Sequence, residues 1–301
     1  MCCGRLKIDA LREHSAPVKR APLVAIGMRL WISIGIAAAA VLSGTNLLNA
    51  QQPATTEAFN RYVAAAEARI LKERKSSFLR MESLNAAERA DVLRRLQASE
   101  IVIEREGNTP EQIPNGLIHD WVGTVFIPKA TVAQVMVLVC NYDHTANYYA
   151  PDVMQARLIS ANGDDLHVFM RLRKHKVITV VLDTEYDVHY GRLDAEHQYS
   201  ESRSTRVSEI ADPDMPSEHS LPAGQDHGFM WRLNSYWAFE QAEDGVFVQC
   251  EAISLTRDIP SGLGWMIRPF VNTIPRESLQ FTLNATRTAM ASKESALKKH
   301  E

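Results

Sequence analysis

The sequence predicts an α+β fold: a curved seven-stranded antiparallel sheet wrapped on a long C-terminal helix, with a helical hairpin ahead of it. Three observations carry this. Residues 177–190 alternate with the cleanest period of two in the chain, setting Ile178, Val180, Leu182, Tyr186, Val188 and Tyr190 on one face. Asp183, Glu185, Asp187 and His189 fall towards the other. Two hairpin signals, Asn162-Gly163 and Asp244-Gly245, join the strand candidates that flank them. Beyond the last strand, Pro275 suits a first helical turn, and Leu279, Thr282, Leu283, Thr286 and Met290 form one stripe.

Composition sets the frame for these elements. With 301 residues and 46% hydrophobic side chains the chain is globular, long enough for one well-buried domain and an accessory segment. Residues 1–50 read as an upstream extension and a signal peptide. The apolar run 30–42 follows Arg29, and Leu48-Asn49-Ala50 offers a cleavage site before Gln51. Met28 begins a signal of ordinary length, so residues 1–27, with Cys2 and Cys3, precede it. Periplasmic or secreted protein after cleavage near Ala50 is the expectation, and an uncleaved membrane anchor is its alternative. Removing residues 1–50 takes away six Lys/Arg and two Asp/Glu and moves the formal charge from −3 to −7, which argues against a nucleic-acid partner. Cys140 and Cys250 then remain; an oxidising compartment permits a bridge, but two cysteines in apolar elements read first as small buried hydrophobes.

Residues 51–105 form the N-terminal helical segment. Phe59, Val63, Ala66 and Ile70 share a face after Thr55 and Thr56 as caps. Asn85 with Glu88 opens a second helix through Val92, Leu93 and Leu96. Both need an apolar surface to pack on. Pro110, Pro114 and two glycines make residues 106–116 a boundary loop, and the main domain occupies 106–301. Its strands are expected at 117–127, 155–160, 166–173, 177–190, 198–210, 229–240 and 246–257. A helix opens at Thr131, with Val132, Val135, Met136 and Val139 on one face, and an acidic, Pro-rich loop spans 211–228.

A two-residue loop at Asp244-Gly245 would pair Trp237 with Ala252 and Phe239 with Cys250. Large aromatics would then meet small residues on one face, joined by Trp231, Leu233 and Ser235. The opposite face, with Arg232, Asn234, Tyr236, Glu240, Gln249 and Glu251, would point to water; a bulge would exchange the faces of one strand. Gly262, Gly264 and Pro269 suggest a short irregular entry to the last helix, where Trp265, Met266 and Phe270 form a cavity mouth or anchor the turn.

The histidines show no compact ligand spacing, no Gly-x-Ser-x-Gly elbow or phosphate-cradling loop is present, and no metal or cofactor is expected. Ser200, Ser202, Ser204 and Ser208, with Arg206, share a strand face that either holds a polar ligand head or faces solvent. The basic run 171–176 is a transient contact for anionic lipid, or a solvated hairpin tip.

From His119-Asp120-Trp121 to Ala291 the chain resembles the START-like, Bet v 1-like superfamily of polyketide cyclases, lipid-transfer domains and coenzyme Q-binding proteins, in a secreted bacterial branch. The resemblance rests on Trp231-Arg232-Leu233-Asn234-Ser235-Tyr236-Trp237, on the stretch from Val248-Gln249-Cys250-Glu251 to Asp258-Ile259-Pro260, and on Gly262-Leu263-Gly264-Trp265. It implies the helix-grip fold and non-catalytic binding of a lipid, isoprenoid or polyketide-like molecule. The ligand would lie among Tyr186, Tyr190, Trp231, Trp237, Phe239, Cys250 and Ala252, under Leu279 and Leu283 of the closing helix and beside Trp265, Met266 and Phe270. A cyclase or dehydratase is the rival reading, with Glu251, Asp183 and Arg206 as its nearest acid, base or cation. A ligand-free scaffold is a third.

Overall fold

The computed structural model describes residues 53–176, 178–222, 224–258 and the backbone of 264–297, with side chains in that last stretch described for 273–292. The expected signal segment, within 1–50, lies outside these residues. So do the side chains of Trp265, Met266 and Phe270.

Helix α1 (Pro53–Glu73) leads through a 3-10 turn (Arg80–Ser83) to α2 (Ala86–Gln97), where the Asn85 side chain accepts from the amides of Ala87 and Glu88. Strands β1 (Val102–Arg105), β2 (Glu111–Ile113) and β3 (Gly116–Pro128) follow, then α3 (Val132–Val139) and the one-turn α4 (Thr145–Tyr148). Next come β4 (Val153–Asn162), β5 (Asp165–His175), β6 (Thr179–Arg192), β7 (His197–Ala211), β8 (His219–Ser220), β9 (Arg232–Ala242), β10 (Gly245–Arg257) and α5 (Gly264–Leu297). The strands are antiparallel in the order β1-β3-β10-β9-β7-β6-β5-β4, with β2 also on β3 and β8 on β7.

The seven long strands are the seven expected from sequence. Three short ones are additional: β1 at the end of the expected helical segment, β2 inside the expected boundary loop and β8 inside the acidic loop. Their two to four residues are too few to show a period.

Both hairpin turns fall one residue from their expected places. The first turns at Gly163-Asp164, because Asn162 still pairs with Asp165 and Gly163 alone takes a positive φ, +65°. The second turns at Glu243-Asp244, because Gly245 already pairs with Ala242. Gly245 serves close approach rather than turn geometry: a Cβ there would stand 2.3 Å from the Ile127 carbonyl oxygen of β3. Trp237 therefore pairs with Cys250, and Ala252 with Ser235, instead of the expected Trp237–Ala252 pair. The shift is by two residues, so the assignment of faces survives.

The closing helix starts eleven residues before Pro275, and 264–270 is helical instead of an irregular entry. Pro269 and Pro275 each remove one backbone rung, a loss of about 3 kcal/mol in an isolated helix. The buried stripe of Leu279, Leu283, Thr286 and Met290 holds the helix against that loss.

Around β3, β10 and β9 the sheet is covered on both faces. On the inner face α5 and α3 pack over Val125, Ile127, Phe239, Val248, Tyr186 and Val188. A Cβ on Gly123 would meet Leu283 Cδ1 at 2.5 Å, so the missing side chain lets α5 rest directly on β3. On the outer face, α1 lays Phe59, Val63 and Ala66 on Ile118, Ile253 and Leu255, while the 3-10 turn and α2 cover Ala238 and Phe247. The face expected to meet water is thus an interior. Its Asn234, Tyr236 and Glu251 are buried, because α1 brings polar partners of its own: Arg69 bonds Glu251 at 2.6 Å and Glu67 accepts from the Tyr236 hydroxyl at 2.7 Å.

Candidate functional site

The inner face is built of cross-strand rows. One row runs Tyr190, Ser200, Trp237, Cys250, Gly123, and the next Val188, Ser202, Ser235, Ala252, Trp121. Beside the first row, Phe239 is fully buried and stacks on Trp237 at 6.0 Å between ring centres. Tyr186, Tyr190, Phe239, Cys250, Leu279 and Leu283 are all buried in this packed region. Tyr190 is fixed by its hydroxyl contact with Tyr142 at 2.8 Å, and Tyr149 meets Thr286 of α5 at 2.9 Å. Burial pushes the Tyr186 and Tyr149 phenols up to about 12, so both are neutral hydroxyls.

Part of this face stays open. Ser202, Ser204, Leu233, Ser235, Trp237 and Ala252 lie on the inner face of the central strands yet remain only half-buried. Their outer-face neighbours Asn234, Tyr236, Ala238, Glu251 and Ile253 are nearly all buried. Central strands normally expose least, and here the accessible surface is on the side where the closing helix lies. The hydroxyls of Ser202 and Ser235, opposite each other, have no hydrogen-bond partner among the described residues, whereas Ser204 accepts from the Leu233 amide at 3.0 Å. Trp121, Ala252, Leu233 and Trp237 thus surround two free hydroxyls.

His119 stands at the same end of β3, opposite Ser254. Burial first, and the charge of Arg105 second, lower its pKa to about 4, so it is a neutral imidazole, 3.2 Å from the Thr256 hydroxyl. Sequence reasoning did not place His119 and Trp121 at the site, because β3 is buried on both faces and shows no alternation.

Trp231 does not share this face. It precedes β9, its indole N–H donates to Asp226 at 2.6 Å, and its ring packs with Phe59 and Ile253 on the outer side. Strand alternation does not extend to it. Arg206 and Ser208 also leave the serine face. Ser204 pairs with Tyr186 but Arg206 with Glu185, so β7 carries a bulge that turns the next residues over. Arg206 bonds Glu185 at 2.6 Å on the outer side. Asp183 is held there by a two-pronged contact with Arg171, at 2.7 and 2.9 Å, and Glu251 lies under α1. None of the three residues considered for acid, base or cation roles reaches the inner face.

Cys140 and Cys250 are separate thiols. Among the described residues no three His, Cys, Asp or Glu side chains converge to hold a metal ion, and no helix is long and apolar enough to cross a membrane. A further cleft of about 320 Å³ lies between Pro151, Asp152, residues 173–176 and Glu277. It is crossed by ion pairs from Lys174 to Asp152 at 2.6 Å and Lys176 to Glu277 at 2.5 Å, while Arg173 bonds Asp214. The basic run of this hairpin is neutralised by its own neighbours.

Helices α3 and α4 inserted after the first long strand, six further long strands and a closing helix across the inner face make this the START-like, Bet v 1-like helix-grip fold. No protein-family model matches the chain, and no curated protein does. Solved structures do. One is a protein from Thermus thermophilus, 13% identical with a TM-score of 0.42, covering 57% of this chain and 97% of that one. Another is a STAR-related lipid transfer protein fragment from Xanthomonas axonopodis, 17% identical at 0.38 over 62% and 98%. A third is the Zhui aromatase/cyclase from a Streptomyces species, 10% identical at 0.41 over 57% and 93%. Likenesses this distant say nothing of ligand or reaction.

Proposed function

We propose that the protein binds an apolar small molecule, without transforming it, against the inner face at Leu233, Ser235, Trp237 and Ala252. The supporting observation is the half-exposed inner-face patch on central strands whose outer-face residues Asn234, Tyr236, Ala238, Glu251 and Ile253 are buried. An apolar ligand would take the half-exposed surfaces of Leu233, Trp237 and Ala252 out of water, and the free Ser202 and Ser235 hydroxyls suit one polar group on it. Glu251, Asp183 and Arg206 are engaged on the outer side, which disfavours an acid-base reaction. Export after cleavage near Ala50, to the cell envelope or beyond it, belongs to the same reading; a mature chain beginning near Gln51 is the expected result of N-terminal sequencing. Transient contact with anionic lipid at the basic hairpin would require exchanging its carboxylates for phosphates.

Ala252→Phe places a ring over Ser235 and Trp121. It is expected to reduce uptake of a fluorescent fatty-acid or isoprenoid probe at least tenfold while circular dichroism is unchanged. Unmodified protein that takes up no apolar probe, and releases no lipid in native mass spectrometry, would overturn the carrier reading and leave a scaffold.

A further inference from the structure

The seat of α1 on the sheet holds more acid than base. Asp120 is fully buried on the outer face of β3. Its Oδ2 accepts from the Tyr62 hydroxyl of α1 at 2.9 Å, and its Oδ1 has no hydrogen-bond partner. The groups facing it are Tyr62 and Arg69 from α1, Glu251 from β10 and Glu106 from the segment after β1. Arg69 is already shared, bonding Glu251 at 2.6 Å and Glu73 at 3.2 Å and standing 4.0 Å from Glu106. Arg80 is taken by Glu104 and Glu106. An ionised Asp120 would therefore bring a further buried carboxylate to a cluster whose arginines are occupied. Burial first, and the charge of Glu251 second, push its pKa up to about 8.

We propose that α1 is a strap held on the outer face by the proton on Asp120, and that it lifts from the sheet when Asp120 ionises. The fold permits this. No backbone ladder joins α1 to a strand, and its anchors Phe59, Val63 and Ala66 form a cluster separate from the one that holds the 3-10 turn and α2. Lifting lets water reach Asp120 and Glu251 and uncovers Ile118, Ile253 and Leu255, while the strands stay paired. The sign follows from linkage. The docked state binds the proton more tightly than the open one, so docking is strongest in acid and is lost as pH climbs from the ordinary carboxylate range to about 8.

Hydrogen exchange of the full chain at pH 6 and pH 9, corrected for intrinsic rates, tests it. Peptides within 53–73 are expected to lose protection by about tenfold or more, since each unit of raised pKa is a factor of ten in the opening equilibrium. Peptides of β9 and β10 should keep theirs. Asp120→Asn, nearly isosteric and uncharged, should hold α1 at its pH 6 protection throughout. Glu251→Gln, which removes the neighbouring charge, should shrink the drop and carries the test if the first variant does not fold. Equal protection of α1 at the two pH values, an undiminished loss in the variant that folds, or a loss spread evenly over all peptides would overturn the proposal.

Discussion

Single atoms in this interior make sharp demands. Glu240 buries its Oε2 without a hydrogen bond, 3.9 Å from His197 Nε2, and burial first, with Glu82 adding to it, pushes its pKa up to about 7. A raised carboxyl pKa means that native protein keeps the proton while the unfolded chain loses it, so stability falls from about pH 4.5 to about pH 7 and stays lowered above that. Glu240→Gln should raise stability at pH 8 by on the order of 1 kcal/mol, the shift being discounted for the solvent around a half-buried carboxyl, read as a higher urea midpoint, with no gain at pH 4. Gly123 makes a steric demand instead. Any side chain there enters the space of Leu283, so Gly123→Val should lower stability by about 1–3 kcal/mol in thermal melts. Cys250 is buried, and desolvation raises its thiol well above the usual range. It should resist alkylation at pH 8 until the protein unfolds, as mass spectrometry of iodoacetamide-treated samples would show.

At the scale of the element, periodicity was readable wherever one face is buried and the run is long. Strand β6 keeps the alternation that its sequence displays from Leu182 to Tyr190, and the α5 stripe from Leu279 to Met290 is the one its spacing predicts. The cap of α3 was equally clear: Thr131 accepts from the Gln134 amide and the Gln134 side chain accepts from the Thr131 amide. Thr131→Ala should cost about 1 kcal/mol in chemical denaturation. What could not be read is register. A glycine after an aspartate looks like a turn, yet Gly245 is needed where β10 meets β3, and a single bulge in β7 moves Arg206 and Ser208 off the serine face. Both outcomes depend on a neighbouring strand that the local sequence does not contain.

Over the whole molecule, the inner half of the candidate site was largely legible and the outer half was not. Trp237, Phe239, Cys250 and Ala252 share the inner face with Leu279 and Leu283, as their alternation implied. The outer face looked solvent-directed because Asn234, Tyr236 and Glu251 are polar. They are buried through partners such as Arg69 and Glu67, far away in sequence, and no local pattern records that pairing. The same cover leads to a prediction. A chain beginning after residue 75 lacks α1 and exposes Ile118, Trp231, Ile253 and Leu255, and it should self-associate in light scattering where the chain beginning at Gln51 does not.

Strand β3 is buried on both sides and hydrogen-bonded along both edges, to β1 and β2 on one and to β10 on the other. Its most extensive partner is the last strand to be made: Val125 waits for Val248, and Gly123 for Cys250 and then Leu283. During synthesis the most fully buried long strand of the fold is therefore available before the strand and helix that shield it exist. Folding should be slow and dominated by distant pairings, and chains halted before residue 245 should be aggregation-prone and depend on chaperones until the final fifth emerges.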